Sequence, residues 1–353
     1  MDHHRRMATL MAELEWPVLV TSLPNIRYLT GFAGSSAFLY VTPDAATFLT
    51  DGRYGEVAAG LVDTLPSTSL SVYTQGLYDR LAALFGPADA VQLEAADVSW
   101  QVKRALAQRF DGRLEASTGI VEKLRLRKDQ GEVEALRSAA AGGDYAFSVL
   151  SEIAQESPTE AALGEGLIAA MGDRGGERAA WPPIVAMGPN AARPHHRAGG
   201  EPLGDGLLLV DYGCVVEGYH SDMTRTVWLG SEPDVEAARI YDAVLEANEA
   251  GIAAVRPGAS AGDVDRAARD VLASHHLEEH FLHSTGHGVG LEIHEAPSVR
   301  TGSEEILEPG NVVTVEPGAY IPGQVGVRIE DMVLVTNEGR EVLTHAPKEL
   351  RQQ

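Results

Sequence analysis

The sequence predicts two domains of mixed helix and strand, the second an α+β domain with helices over a largely antiparallel sheet. Three observations carry this. A chain of 353 residues exceeds the usual size of one core. Its first third alternates short β-rich runs with helical stretches. In the remainder, strand runs and helix runs segregate.

In the first region, Pro17–Ser22, Ala37–Thr42, Ala46–Thr50 and Ala90–Leu93 read as strands. Tyr54–Leu61, Leu77–Phe85 and Trp100–Arg109 have helical spacing, which makes residues 1–121 a small α/β domain. The charge-dense stretch Val121–Glu132 opens a long helix running to about Ile153, so the second domain is taken as 122–353. There, Ser157-Pro158-Thr159-Glu160 reads as a helix start, with Ser157 as N-cap and Pro158 at the first helical position. Further helices are expected at Pro233–Ala254 and Ala261–Ser274, and strand-rich segments at Leu207–Leu229, Val312–Tyr320 and Val325–Val335.

The formal net charge of −23 opposes partnership with nucleic acid or an anionic membrane, since both require a basic face. No acidic tail accounts for that charge; the carboxylates are spread along the chain. Cys214 is the only cysteine, which rules out a disulfide framework within the chain and suits a reducing compartment. Residues 1–16 are charged throughout and do not read as a secretory signal, and no apolar run could span a bilayer. A cytoplasmic protein is expected.

Carboxylates on apolar strands are the first chemical signal. If Val215–Gly218 forms a turn centred between Val216 and Glu217, Asp211 in LLLVDYG falls opposite Asp222 in SDMTRT. Opposed side chains lie roughly 5 Å apart, where like charges are destabilising. A second hairpin centred near Gly323 would face Glu316, in VVTVEPG, with Glu330, in VRIED, and would put Arg328 on the same face as Glu330. Four inward carboxylates are very costly without cations, and hard oxygen donors suit divalent metals. His287 and His294, in GHGVGLEIHE, bring nitrogen donors on a glycine-rich segment that allows close approach.

The order Asp211, Asp222, His287, Glu316, Glu330 resembles the dinuclear pita-bread metallopeptidases, and within them the Xaa-Pro peptidases. NIRYLTGF (25–32) and TDGRY (50–54) in the first domain match as well. The resemblance implies a C-terminal pita-bread catalytic domain behind a smaller creatinase-like α/β domain. It implies two divalent metals per chain: Asp211 on one, Asp222 and Glu330 bridging, His287 and Glu316 completing the other. Mn²⁺ is expected, with Co²⁺ or Zn²⁺ as alternatives. Glu316 would take a proton from the attacking water; His294 and His195 would bind substrate and stabilise the oxyanion; Arg328 and Tyr320 would support the site. His196 is read as a bystander. The implied substrate is a small peptide with proline at the second position, and the implied assembly is a homodimer.

Within that resemblance the reading leans to an Xaa-Pro dipeptidase (prolidase). The alternative is an Xaa-Pro aminopeptidase acting on longer peptides, with methionine aminopeptidase a further rival. A metal-free creatinase-like enzyme or a non-enzymatic interaction module is disfavoured, because either predicts lost ligands and all five carboxylate and imidazole positions are intact. A dipeptidase must hold a free C-terminal carboxylate, which suits a guanidinium. Arg53 is the candidate, with Arg27 or Arg197 failing it; the competing reading makes Arg53 a structural arginine tied to Asp51 or a backbone carbonyl.

Overall fold

Residues 1–230 and 232–350 are described by a computed structural model, and the chain divides into two units, Met1–Arg125 and Leu126–Gln353. In the first unit, apolar residues at Val18–Val20 (β1), Ala37–Val41 (β2), Ala46–Asp51 (β3) and Ala90–Glu94 (β5) form the centre of a mixed sheet. Thr68–Tyr73 (β4) and Arg113–Ser117 (β6) are its edges, in the order β4-β3-β2-β1-β5-β6. Neither edge strand buries a residue. Helices His3–Glu13 (α1), Leu23–Thr30 (α2), Gly55–Val62 (α3), Leu77–Phe85 (α4), Trp100–Ala107 (α5) and Glu122–Arg125 (α6) complete the unit. Leu19, Leu49, Val91 and Leu93 of the sheet pack with Leu81, Phe85 and Leu106 of α4 and α5.

The second unit opens with Gln130–Ser148 (α7), Leu150–Glu156 (α8) and Glu160–Gly172 (α9). The long helix expected from Val121 is thus divided. Asp129 and Glu132 form a capping box that starts α7 afresh, their side chains accepting from each other's backbone N–H at 3.0 and 2.9 Å. The expected cap at Ser157 is also displaced. Thr159 caps α9, accepting from Ala162 N at 3.3 Å, while Glu160 turns into the protein.

The strands follow as Arg178–Ala179 (β7), Ile184–Met187 (β8), Gly206–Tyr212 (β9), Cys214–Val216 (β10), Tyr219–His220 (β11) and Met223–Leu229 (β12). After helices Val235–Ala254 (α10) and Ala261–Ser274 (α11) come Gly286–Gly288 (β13), Glu295–Val299 (β14), Val312–Val315 (β15), Gly318–Ile321 (β16), Val325–Arg328 (β17), Asp331–Val335 (β18) and Arg340–Val342 (β19). They pair antiparallel as β12-β9-β8, β11-β10-β7, β14-β13-β15-β18-β19 and β16-β17. Side chains alternate across a strand. Leu208, Val210 and Tyr212 therefore pack against Ala139, Phe147, Leu163 and Leu167 of α7 and α9, and Asp211 faces away from that core. Val313 and Val315 likewise pack with Ile252 and Val264 of α10 and α11, which leaves Thr314 on the other face. No helix among the described residues is long and apolar enough to cross a membrane.

Candidate metal centre

The first carboxylate hairpin turns at Glu217-Gly218, where both residues take positive φ, 50° and 81°. That is the signature of a two-residue primed turn, and glycine at its second position is what makes it accessible. The turn lies one residue beyond the expected centre. Asp211 is therefore paired with Thr224, not with Asp222. Because the partner changes by two residues, the face is preserved and Asp222 still points toward the same side as Asp211. Asp222 itself sits in the gap between β11 and β12, its N–H donating to Met332 Sδ at 3.3 Å.

The second hairpin keeps the expected register. Val315 pairs with Asp331 and Gly318 with Arg328, so Glu316 stands opposite Glu330 in the break between two ladders. Their backbone N–H groups reach outward instead, Glu316 N to Thr285 O at 2.7 Å and Glu330 N to Thr224 O at 3.1 Å. These two bonds join both glutamates to the neighbouring strands.

His287 arrives on β13 between two glycines that nothing larger could replace. A Cβ at Gly286 would lie 2.0 Å from Thr314 O, and one at Gly288 would lie 2.1 Å from Ala296 O. The His287 Nδ1–H donates to Gly288 O at 3.0 Å, which leaves the Nε2 lone pair for a ligand. Nε2 faces Asp222 Oδ2 at 3.5 Å and Glu316 Oε1 at 3.6 Å. One ligand atom each from Asp222, His287 and Glu330 lies within 4.8 Å of the others, a group that could hold a metal ion.

Asp211 is held differently. Its Oδ2 accepts from Arg328 Nη2 at 2.5 Å, while its Oδ1 is buried with no hydrogen-bond partner among the described residues. Arg328 also donates to Thr224 Oγ1 at 3.0 Å and to Tyr320 OH at 2.8 Å, and Thr224 passes a hydrogen bond to Glu330 Oε2 at 2.7 Å. Tyr320 in turn donates to His283 Nε2 at 2.8 Å, with His283 Nδ1 against Ser284 O at 2.8 Å. His283 stands four residues before His287 in HSTGH, the one local signal in the sequence that points to it.

The metal-free electrostatics are those of an overfull site. Burial, then Glu330 and the other carboxylates, push Asp222 well above the usual range. Burial and Glu330 do the same to Glu316, while burial and Asp211 raise Glu330 to about 7. Burial raises Asp211 in spite of Arg328, and it lowers His287 to about 4. A buried carboxylate oxygen without a donor, an imidazole with its lone pair turned inward and carboxylates that resist ionising together fit divalent cations.

The remaining expected residues fall into two groups. His294 stacks edge-on against His287, ring centroids 4.3 Å apart, and both it and His195 lie near Asp211. His195 is exposed in a turn, whereas His196, read as a bystander to the chemistry, is buried with its Nε2 2.7 Å from Glu160 Oε2. Glu160 also accepts from Met187 N and Asn190 Nδ2, both at 2.8 Å, and so ties down the loop that carries His195. Arg53 belongs to the other unit. Its guanidinium is 67% exposed and makes a bidentate pair with Asp51 at 2.9 and 2.8 Å, the arrangement of a structural arginine.

Comparison with known proteins agrees with this geometry. An uncharacterized peptidase of Bacillus subtilis is 35% identical over 94% of this chain and 94% of its own length. Among solved structures, an Xaa-Pro dipeptidase from Bacillus anthracis is 34% identical, covers 100% of this chain and 99% of its own, and superposes with a TM-score of 0.93. An X-Pro aminopeptidase from Thermotoga maritima is 30% identical over 95% and 97% of the two chains, with a TM-score of 0.85. The family model for the creatinase/prolidase N-terminal domain matches residues 5–127, and that for metallopeptidase family M24 matches residues 134–337. With its candidate metal group lying inside that second span, this chain belongs to metallopeptidase family M24 and is a peptidase.

Proposed function

We propose that the chain hydrolyses the peptide bond preceding proline, with a leaning to Xaa-Pro dipeptides, using two divalent metals held by Asp211, Asp222, His287, Glu316 and Glu330. The observation that carries this is the convergence of Asp222, His287 and Glu330 beside a buried, unpartnered Asp211 oxygen. Divalent cations supply Lewis-acid polarisation of a carbonyl and bring the pKa of a water toward neutrality. Carboxylate-rich ligation with one imidazole suits Mn²⁺ first, with Co²⁺ or Zn²⁺ as alternatives.

The chain's own residues would do the rest. Glu316, beside the place the metals would occupy, would take a proton from the attacking water and return it to the leaving nitrogen. An amide nitrogen leaves only once protonated, so that return is needed here as for any peptide bond. The Xaa-Pro nitrogen additionally offers no N–H by which the substrate could be aligned. His195 and His294 would donate toward the substrate carbonyl and the developing oxyanion. Arg328 would hold Asp211 in place, with Tyr320 and Thr224 steadying the guanidinium.

The dipeptide preference draws support from the likeness to the Bacillus anthracis Xaa-Pro dipeptidase over the whole chain. The deciding assay offers Ala-Pro and Ala-Pro-Ala to metal-depleted and Mn²⁺-restored protein. Cleavage of Ala-Pro alone, and only with metal, is expected. Equal or better cleavage of the tripeptide would make the enzyme an Xaa-Pro aminopeptidase, a reading favoured by the Thermotoga maritima likeness. No cleavage of either with metal restored would remove the proposal. A homodimer in the cytoplasm is the accompanying expectation, and a monomeric mass in solution with full activity would refute the dimer.

A further inference from the structure

Pro317 directly follows Glu316, and a proline has no N–H to give to a strand ladder. The register that pairs Val315 with Asp331 and Gly318 with Arg328 sets Pro317 opposite Ile329. Ile329 N still approaches Pro317 O at 3.4 Å, but the return bond to Ile329 O has no donor on that strand. Asn248, fully buried on α10, supplies one. Its Nδ2 donates to Ile329 O at 3.2 Å and to Val315 O at 2.9 Å. A single side-chain amide thus joins the two residues that immediately precede Glu330 and Glu316.

The other end of that amide is also committed. Lys348 Nζ donates to Asn248 Oδ1 and to Asp331 Oδ2, both at 3.0 Å. An ammonium only donates and a carbonyl only accepts, so the amide has one orientation that satisfies all three neighbours. The segment around Lys348 is itself fastened to the same strands. Thr344 Oγ1 donates to Asp331 Oδ1 at 2.8 Å, and the buried Arg225 donates both to Ala346 O at 2.9 Å and to Glu330 O at 2.5 Å. Apart from Asn248, the buried positions of α10 are alanine, glycine, isoleucine, valine and tyrosine, and a polar residue is costly there unless every hydrogen bond is made.

We propose that Asn248, oriented by Lys348, is the positioning residue that fixes the spacing of the Glu316 and Glu330 carboxylates, so that residues 344–348 buttress the metal centre from behind. Two glutamates facing each other across a broken ladder repel, and at Pro317 the ladder resists their separation only through the long Ile329 N–Pro317 O bond. The amide closes that gap. This inference rests on the metal-site reading above, so its test must separate the two.

Titration with Co²⁺, followed by visible absorption, does so on the wild type and on Asn248→Ala, Lys348→Met and Lys348→Arg, each first checked for folding by circular dichroism. Wild type is expected to take up two Co²⁺. Asn248→Ala and Lys348→Met should raise the apparent Kd about 10- to 100-fold and alter the Co²⁺ absorption, as loss of a supporting partner does. Lys348→Arg should recover most of both. If wild type binds no Co²⁺, the metal-site reading itself fails. If wild type binds and both folded variants match it in Kd and spectrum, the proposal is overturned. Should Asn248→Ala not fold, Lys348→Met, at a side chain 26% exposed, decides alone, and a wild-type Kd and spectrum there overturn it.

Discussion

The two carboxylate hairpins of the catalytic unit face the same problem of buried negative charge and meet it in different ways. In the first, Asp211 lies within a continuous strand and has the Arg328 guanidinium at 2.5 Å. In the second, Glu316 and Glu330 lie in a break between ladders, and the nearest compensation is the Thr224 hydroxyl on Glu330. The first hairpin is partly neutralised before any cation arrives. The second is a pair of like charges held apart by backbone bonds to its neighbours. Removing an uncompensated carboxylate should therefore stabilise the metal-free protein, whereas removing the Arg328 charge beside Asp211 should destabilise it.

The sharpest break of that comparison is removal of a shared ligand. Asp222→Asn or Glu330→Gln is expected to abolish peptidase activity while raising the melting temperature of the metal-free protein, because each relieves like-charge repulsion. Full activity in either variant would sink the ligand assignment. Arg328→Met should do the reverse to the metal-free fold: it strands Asp211 without its partner, a loss of about 3–5 kcal/mol by denaturant unfolding. An unchanged midpoint in chelator would mean that the first hairpin is not compensated by Arg328 at all.

His195→Ala and His294→Ala should keep metal content and lose about 100-fold or more in kcat. Loss of metal from either would make that histidine a ligand instead. Arg53→Ala tests the substrate end. A clamp on the dipeptide carboxylate is worth about 1.5–3 kcal/mol, one to two decades in KM for Ala-Pro, with tripeptides spared. Equal effects on both substrates would make Arg53 a structural arginine paired with Asp51.

The smallest expected effect is on pH dependence. Asp222, Glu316, Glu330 and Asp211 are raised in the fold, so above their ordinary range the metal-free native state holds more protons than the unfolded chain, and stability falls as pH rises. His283 and His287, both lowered to about 4, act in the opposite direction until their usual value near 6.5 is passed. Beyond about pH 6.5 the imidazole contribution fades and the carboxylates dominate. Thermal melts in chelator should therefore decline from pH 6.5 to about 8, and Mn²⁺ should remove the decline. A flat metal-free profile would show that the four carboxylates are better solvated than their burial implies.

The sequence by itself determined the second hairpin, the helices at 261–274 and near 235–254, and the order of carboxylates and histidine. These are features written in local pattern: apolar alternation, a glycine at a turn, a serine cap. The first hairpin slipped because two turn centres one residue apart preserve the same alternation, and only the left-handed conformations of Glu217 and Gly218 choose between them. Partners remote in sequence were beyond any local pattern. His196 with Glu160, Tyr320 with His283, and Asn248 with Val315 and Ile329 are 36, 37, and 67 and 81 residues apart. Tertiary structure decided these because a buried donor or acceptor must be satisfied by whatever the packed fold brings within reach, and chain distance does not enter that requirement.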